Sequence, residues 1–232
     1  AVSLNLGIYF LLRQLKLQVF LSTAFSILTT VCITYQLLTL EIMGEFLSCA
    51  LNVFGIVFAL KLLKKDSSLY LILSALGFAG SFLTKFSSLT GLTAVCIFLW
   101  MHQKSRTMFQ LITGTGCLIL GALWVSYVVS DGRILSSFMS FGQGPVHWDY
   151  FFKFPLWFLM QLGRDPFFLL LFGFTLYFVF RDQTPLRESF PKFYFFIVMG
   201  FTLFILTSPG TDYNHMLDLI VACILVLGIQ FH

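Results

Sequence analysis

Long apolar runs follow one another from one end of the chain to the other, and the charged residues stand almost wholly in the gaps between them. In water these runs would have to be buried together. With only 10% Asp, Glu, Lys and Arg, a chain of 232 residues has too little polar surface to cover them. The bilayer is therefore the expected solvent: hydrophobic residues make up 58%, and the 30 Phe are spread along the whole length rather than gathered in one anchor. A soluble enzyme is excluded on this reading, and no basic patch suited to nucleic acid is present. Backbone polar groups inside hydrocarbon need internal partners, so the runs are expected to be helices. The expected fold class is all-α, a polytopic transmembrane helical bundle of about nine apolar segments. It forms a single transmembrane domain over residues 1–232. The chain opens AVSLNLGIYF, without Met or a basic leader, and stops at GIQFH straight after an apolar run, so it is expected to be a fragment of a longer protein.

A first run reaches about Leu12, and spans are expected over Leu17 to Leu38 and Met43 to Leu63. Two short stretches, Leu69 to Thr84 and Leu89 to Met101, make a hairpin around Lys85-Phe86-Ser87-Ser88. A span over Phe109 to Val129 leads to a long loop, Ser130 to Phe154. The chain returns through Pro155 to Phe180, interrupted at Gly163-Arg164-Asp165-Pro166, and ends with spans over Phe193 to Thr207 and Asn214 to Ile229. This alternation puts Arg13, Lys16, Lys61, Lys64, Lys65, Lys104, Arg106, Arg181, Arg187 and Lys192 on one side, the cytoplasmic side by the positive-inside rule. Most carboxylates fall on the other. The five cysteines lie inside apolar runs with no CxxC spacing, which suits small packing residues.

An ionisable group within or beside hydrocarbon costs at least a few kcal/mol, so each one on the outer side is a candidate site. Lys85 follows a stretch that rises ~24 Å as a helix and precedes one of ~20 Å, both short of the ~30 Å hydrocarbon thickness. The hairpin tip should therefore be sunken, and Lys85, with hydroxyls from Thr84, Ser87 and Ser88 nearby, can meet a lipid phosphate at headgroup depth. Equally, a Lys in that position can snorkel to the interface and do nothing else. Asn214, His215 and Asp218 open the last span; Asn214 and Asp218 share a helix face and suit sugar hydroxyls, or they cap the helix. Capping explains Asp218 poorly, because it lies a turn into the apolar run and needs a buried partner. Glu41 and Glu45, one helical turn apart, suit a metal, a base or a sugar hydroxyl, or they are dipole partners at a helix start. Arg164-Asp165-Pro166 reads as a structural break with a local ion pair. Arg133 and His147-Trp148-Asp149 stand on the long loop, where Trp148 and Tyr150 either stack on a sugar ring or mark the interface.

Two of these segments carry a resemblance. Gly77-Phe78-Ala79-Gly80-Ser81-Phe82-Leu83-Thr84-Lys85 is similar to the Gly-Leu-Ala-x-Leu-Thr-Lys hairpin of the GT-C superfamily of polyprenyl-phosphate-sugar glycosyltransferases. Thr211-Asp212-Tyr213-Asn214-His215-Met216-Leu217-Asp218 is similar to that superfamily's Asn-Tyr-x-Leu-Glu opening of a late span. The nearest branch is that of protein O-mannosyltransferases and the aminoarabinose lipid A transferase. The resemblance implies a GT-C-like bundle in a bacterial inner membrane that moves a sugar from a polyprenyl-phosphate donor to a lipid, protein or glycan acceptor at the extracytoplasmic face. It implies Lys85 on the phosphate, Asn214, His215, Asp218 and Arg133 as substrate-binding residues, and Glu45 as an acidic partner. The family's usual catalytic carboxylate belongs to a first external loop, before Ala1, so the fragment alone is expected to be inactive. No metal ligand set is assigned, although a divalent metal stays open as a cofactor. His215 stands where the family carries an aromatic residue, and Asp218 where it carries Glu.

Two other classes compete. A transporter or lipid flippase would need a site near the bilayer midplane, and the spans beginning at Leu17, Met43 and Phe109 hold no ionisable residue at that depth. A membrane scaffold would use the same outer polar residues as caps and anchors only.

Overall fold

The computed structural model describes residues 1–40, 44–85, 88–133, 148–206 and 216–231. Among these residues the chain is all-helical, with no strand. In order the helices are α1 (Val2–Gln14), α2 (Val19–Leu28), a 3-10 turn (Thr29–Val31), α3 (Ile33–Leu40), α4 (Glu45–Lys64) and α5 (Ser68–Thr84). Then come α6 (Thr90–Met101), α7 (Ser105–Val129), α8 (Trp148–Arg164), α9 (Pro166–Arg181), α10 (Phe190–Ile205) and α11 (Leu217–Ile229).

Among the described residues only α4 and α7 are long and apolar enough to cross a membrane singly, and α8 with α9 would make a third span if the bent pair is taken as one. The expected count of about nine crossings is not supported. The physical reason is length: α5, α6, α10 and α11 have 17, 12, 16 and 13 residues, whereas a span of ordinary hydrocarbon needs about 20.

Two of the expected runs are broken, one of them where the sequence itself marks an interruption. Leu17 to Leu38 divides at Cys32, whose backbone is extended. Thr29 and Thr30 donate their hydroxyls back to the carbonyls of Ser26 and Ile27 at 2.8 and 2.7 Å, and with Val31 they make a β-branched trio that disfavours continued helix. The Pro155 to Phe180 run divides at Asp165, where the helix direction turns through 120°. Asp165 is buried, and its two oxygens accept the Phe168 and Thr34 N–H groups at 2.9 Å each. It thus caps α9 and ties it to the start of α3. The break expected at Arg164-Asp165-Pro166 is present, but the two Asp165 oxygens serve backbone N–H groups, so its role is capping. The long loop also ends sooner than expected, because α8 begins at Trp148.

α11 lies at the centre. Almost every residue from Leu217 to Gly228 is buried, as expected of a helix that is apolar all round, and α10, α9, α2, α1 and α4 surround it. α4 and α5 meet through small residues. A Cβ on Gly77 would lie 2.8 Å from the Gly55 nitrogen, and one on Gly55 would lie 2.8 Å from the Phe78 ring. Around this contact Ser74 donates to the Gly55 carbonyl, while Ser48 and Ser81 exchange hydroxyl-to-carbonyl bonds at 3.0 and 2.8 Å. Close backbones and hydroxyl cross-bonds are the means by which helices associate where no hydrophobic force separates them from lipid.

α7 packs on α5 and α6 with only Thr107, Leu111 and Thr115 buried. Its outer face carries Phe109, Leu120, Trp124 and Val125, each at least 60% exposed. An apolar stripe of this extent suits lipid rather than water. Cys117 lies on α7 and is exposed, whereas the other four cysteines are buried.

The helix order collects the ten basic residues named above at one end of the bundle, the basic end. There Lys104 at the start of α7 pairs with Asp66 before α5 at 3.2 Å. Lys192 in α10 pairs with Asp182 after α9 at 2.9 Å and donates to the Thr184 carbonyl. Burial pushes the Asp182 carboxyl up, but hydrogen bonds from Thr184 and the Lys192 ammonium outweigh it and hold the carboxyl down at about 2. The opposite end holds Glu45 and Lys85.

If the Gly55–Gly77 contact sets the α4–α5 distance, Gly77→Ala should destabilise the protein by about 1–3 kcal/mol, the range for overpacking. Gly116→Ala, on α7 with open space around it, should not. Melting temperatures of the two variants in one detergent check this.

Candidate functional site at the Glu45 end

α4 begins where α5 stops. Gly44 packs on Thr84, with a Cβ there placed 2.9 Å from the Thr84 methyl, so the first residue of one helix meets the residue after the other. Lys85 Nζ stands 3.4 Å from Glu45 Oε1, with side chains 20% and 11% exposed. The Lys85 backbone is extended, its N–H donates to the Ser81 carbonyl, and its carbonyl accepts the Ser88 N–H at 2.9 Å. A hydroxyl contact of 2.6 Å between Ser81 and Ser88 closes the turn from below. The turn thus holds Lys85 against α4.

Asp218, at the start of α11, faces the same cleft. Cys49 donates its thiol to Asp218 Oδ1 at 3.2 Å, and the Thr90 hydroxyl reaches Oδ2 at 3.5 Å. Asn52 donates to the Thr90 hydroxyl at 3.2 Å, and the fully buried Tyr194 phenol has Asp218, Cys49, Thr90 and Asn52 around it. The buried partner that Asp218 required is therefore supplied by α4 and α6. Gly91 lets α6 come close enough: a Cβ there would sit 2.0 Å from Asn52 Oδ1.

Glu45, Lys85 and Asp218 thus line one cleft with Ser48, Ser88 and Thr90. Its enclosed volume is about 20 Å³, enough for a water molecule and too little for a phosphate. A larger anion can meet Lys85 only at the mouth, where the ammonium is partly exposed.

Arg133 is not in this group. It is exposed in the turn after α7, where Asp131 and Gly132 have positive φ and the Gly132 N–H bonds the Tyr127 carbonyl. Asn214, His215, Glu41 and His147 lie outside the described residues, as does the start of the Thr211 to Asp218 segment. Trp148, Asp149 and Tyr150 open α8. Among the described residues no group of three or more His, Cys, Asp or Glu side chains is placed to hold a metal ion.

Sequence reasoning missed Ser48, Cys49, Asn52, Thr90 and Tyr194. A signal existed for the first three. With Glu45 they recur at i, i+3, i+4 and i+7, a single face of α4, and an Asn in mid-helix among apolar residues marks a buried polar contact. Nothing in the pattern distinguishes Thr90 or Tyr194 from other residues of their runs. No family model matches the chain, nor does any curated protein or solved structure.

Breaking the ion pair leaves a charge with little water around it. Glu45→Gln and Lys85→Met should each lower the melting temperature, and the double variant should recover part of the loss. A double-mutant cycle on thermal unfolding in detergent should give a coupling of about 1 kcal/mol.

Proposed function

We propose that the chain is part of a GT-C-type glycosyltransferase that takes a sugar from a polyprenyl-phosphate donor at the extracytoplasmic face of a bacterial inner membrane. In this reading the basic end faces the cytoplasm, and the short helices α5, α6, α10 and α11 cross as one bundle with α4 and α7. The observation that carries the proposal is the meeting of Lys85, Glu45 and Asp218 in one cleft, at the end of the bundle opposite the ten basic residues. Lys85 stabilises the phosphate as the sugar leaves, which is electrostatic work suited to a partly desolvated ammonium. Glu45 orients Lys85 and yields it to the incoming phosphate at the mouth. Asp218 contributes hydrogen-bond acceptors to donor or acceptor hydroxyls, and the acceptor is a lipid, protein or glycan.

The test is binding followed by transfer. Purified protein should bind undecaprenyl phosphate more tightly than undecaprenol, and Lys85→Gln should lose at least about tenfold of that preference, the equivalent of one charge-assisted contact. Sugar transfer from a polyprenyl-phosphate donor, in membranes carrying the protein, should fall with it. Equal binding of the two lipids, or an unchanged preference in Lys85→Gln, would contradict the reading.

A transporter or flippase is the second reading, and one observation favours it. Asn52, Thr90 and Tyr194 extend the polar group inward from the cleft, with Asn52 two helical turns below Glu45, ~10 Å along the axis. Substrate uptake that survives Lys85→Gln but fails in Asn52→Leu would support that reading.

A further inference from the structure

At the basic end, on the side of the bundle where α1, α4 and α5 meet, an open groove of about 600 Å³ remains. Its walls are apolar and aromatic, with Phe10 from α1 and Phe54 and Phe58 from α4. Its rim carries four cations: Arg13 at the end of α1, and Lys61, Lys64 and Lys65 at the end of α4. Among the described residues no carboxylate lines it. Asp66, adjacent in sequence, is turned to Lys104 and lines a different cleft. Lys61, Lys64 and Lys65 have no ion-pair partner among the described residues. Lys61 is held over the rings of Phe58 and Tyr70 at 5.3 and 5.2 Å, which fixes its ammonium at the boundary between wall and rim. Gln14 also lines the groove, and both polar atoms of its amide are buried without a hydrogen-bond partner.

Cations in the last turn of α1 and α4 complement the helix dipoles, and that accounts for their sign. It does not account for an aromatic-walled groove beneath them. A ligand with an anionic head and an apolar tail answers both features, since four positive charges on the rim favour a phosphate and the rings favour methylenes.

We propose that this groove binds an anionic phospholipid of the leaflet at the basic end, with its phosphate among Arg13, Lys61 and Lys64 and an acyl chain along Phe10, Phe54 and Phe58. The inference rests on the bilayer reading of the surface and not on the transferase reading, so either can fail alone.

The test uses the full chain in nanodiscs of equal parts phosphatidylglycerol and phosphatidylcholine, with retained lipid counted by native mass spectrometry. One phosphatidylglycerol per chain should be retained at about a tenfold excess over phosphatidylcholine. Lys61→Gln with Lys64→Gln should abolish the excess. Arg106→Gln with Arg181→Gln, an equal loss of charge at the same end but outside the groove, should keep it. Inorganic phosphate at millimolar concentration should not displace the lipid. Equal retention of the two lipids by the unaltered protein would overturn the proposal without recourse to any variant. So would an equal loss in the control pair, which would mean a general surface potential, or displacement by inorganic phosphate, which would mean an anion site with no role for the tail.

Discussion

Gly77 and Gly55 let the backbones of α4 and α5 approach more closely than any side chain there would allow, and the Glu45 end takes its geometry from that contact. With the two helices locked at mid-length by glycines and cross-bonded by Ser48, Ser74 and Ser81, the start of one comes level with the end of the other. Glu45 then meets Lys85 without help from a long loop. Along the seam the hydroxyls of Ser48, Ser74 and Ser81 are satisfied by carbonyls of the facing helix. Overpacking at the seam and loss of the ion pair would therefore both be felt at the site, although the glycines are two to three helical turns from it.

The second constraint is the carboxylate of Asp218 at the head of a helix that is otherwise buried and apolar. Placed there, it needs donors from neighbouring helices, and it draws them from Cys49 and Thr90, with Asn52 behind Thr90. One acidic residue thus links α11, α4 and α6 at the level of the cleft. Asp165 does the corresponding task on the other side of α11, where it joins α9 to α3 through two backbone N–H groups. The two carboxylates have different chemical prospects. Both oxygens of Asp165 are committed to backbone, whereas Asp218 has softer partners, a thiol and a long hydroxyl contact, and lines a cleft.

Much of this was legible in the sequence because apolar periodicity and basic punctuation report helix limits and their alternation. The bounds of α4, α5 and α6 fall within a few residues of the runs from Met43, Leu69 and Leu89. The breaks at Cys32 and Asp165 were less visible. The first depends on hydroxyls that bond back to the preceding turn, a choice that hydropathy does not record. The second was seen as an interruption, but its 120° turn is set by Asp165 reaching Thr34, which is 131 residues away. Counting runs as crossings failed for a related reason: helices of 12 to 17 residues are apolar enough to lie in a membrane but too short to cross one of ordinary thickness singly. Thr90 and Tyr194 entered the site through tertiary contacts alone.

The account requires the two ends of the bundle to face opposite sides of a membrane, and α7 reaches both, rising ~38 Å over its 25 residues. Ser105→Cys and Ser130→Cys place a thiol at either end of that helix, for labelling with a membrane-impermeant maleimide in sealed vesicles of known orientation. Position 130 should react from the extracytoplasmic side and position 105 only after the vesicles are opened. Labelling of both positions from the same side, or of position 105 from outside, would contradict the account.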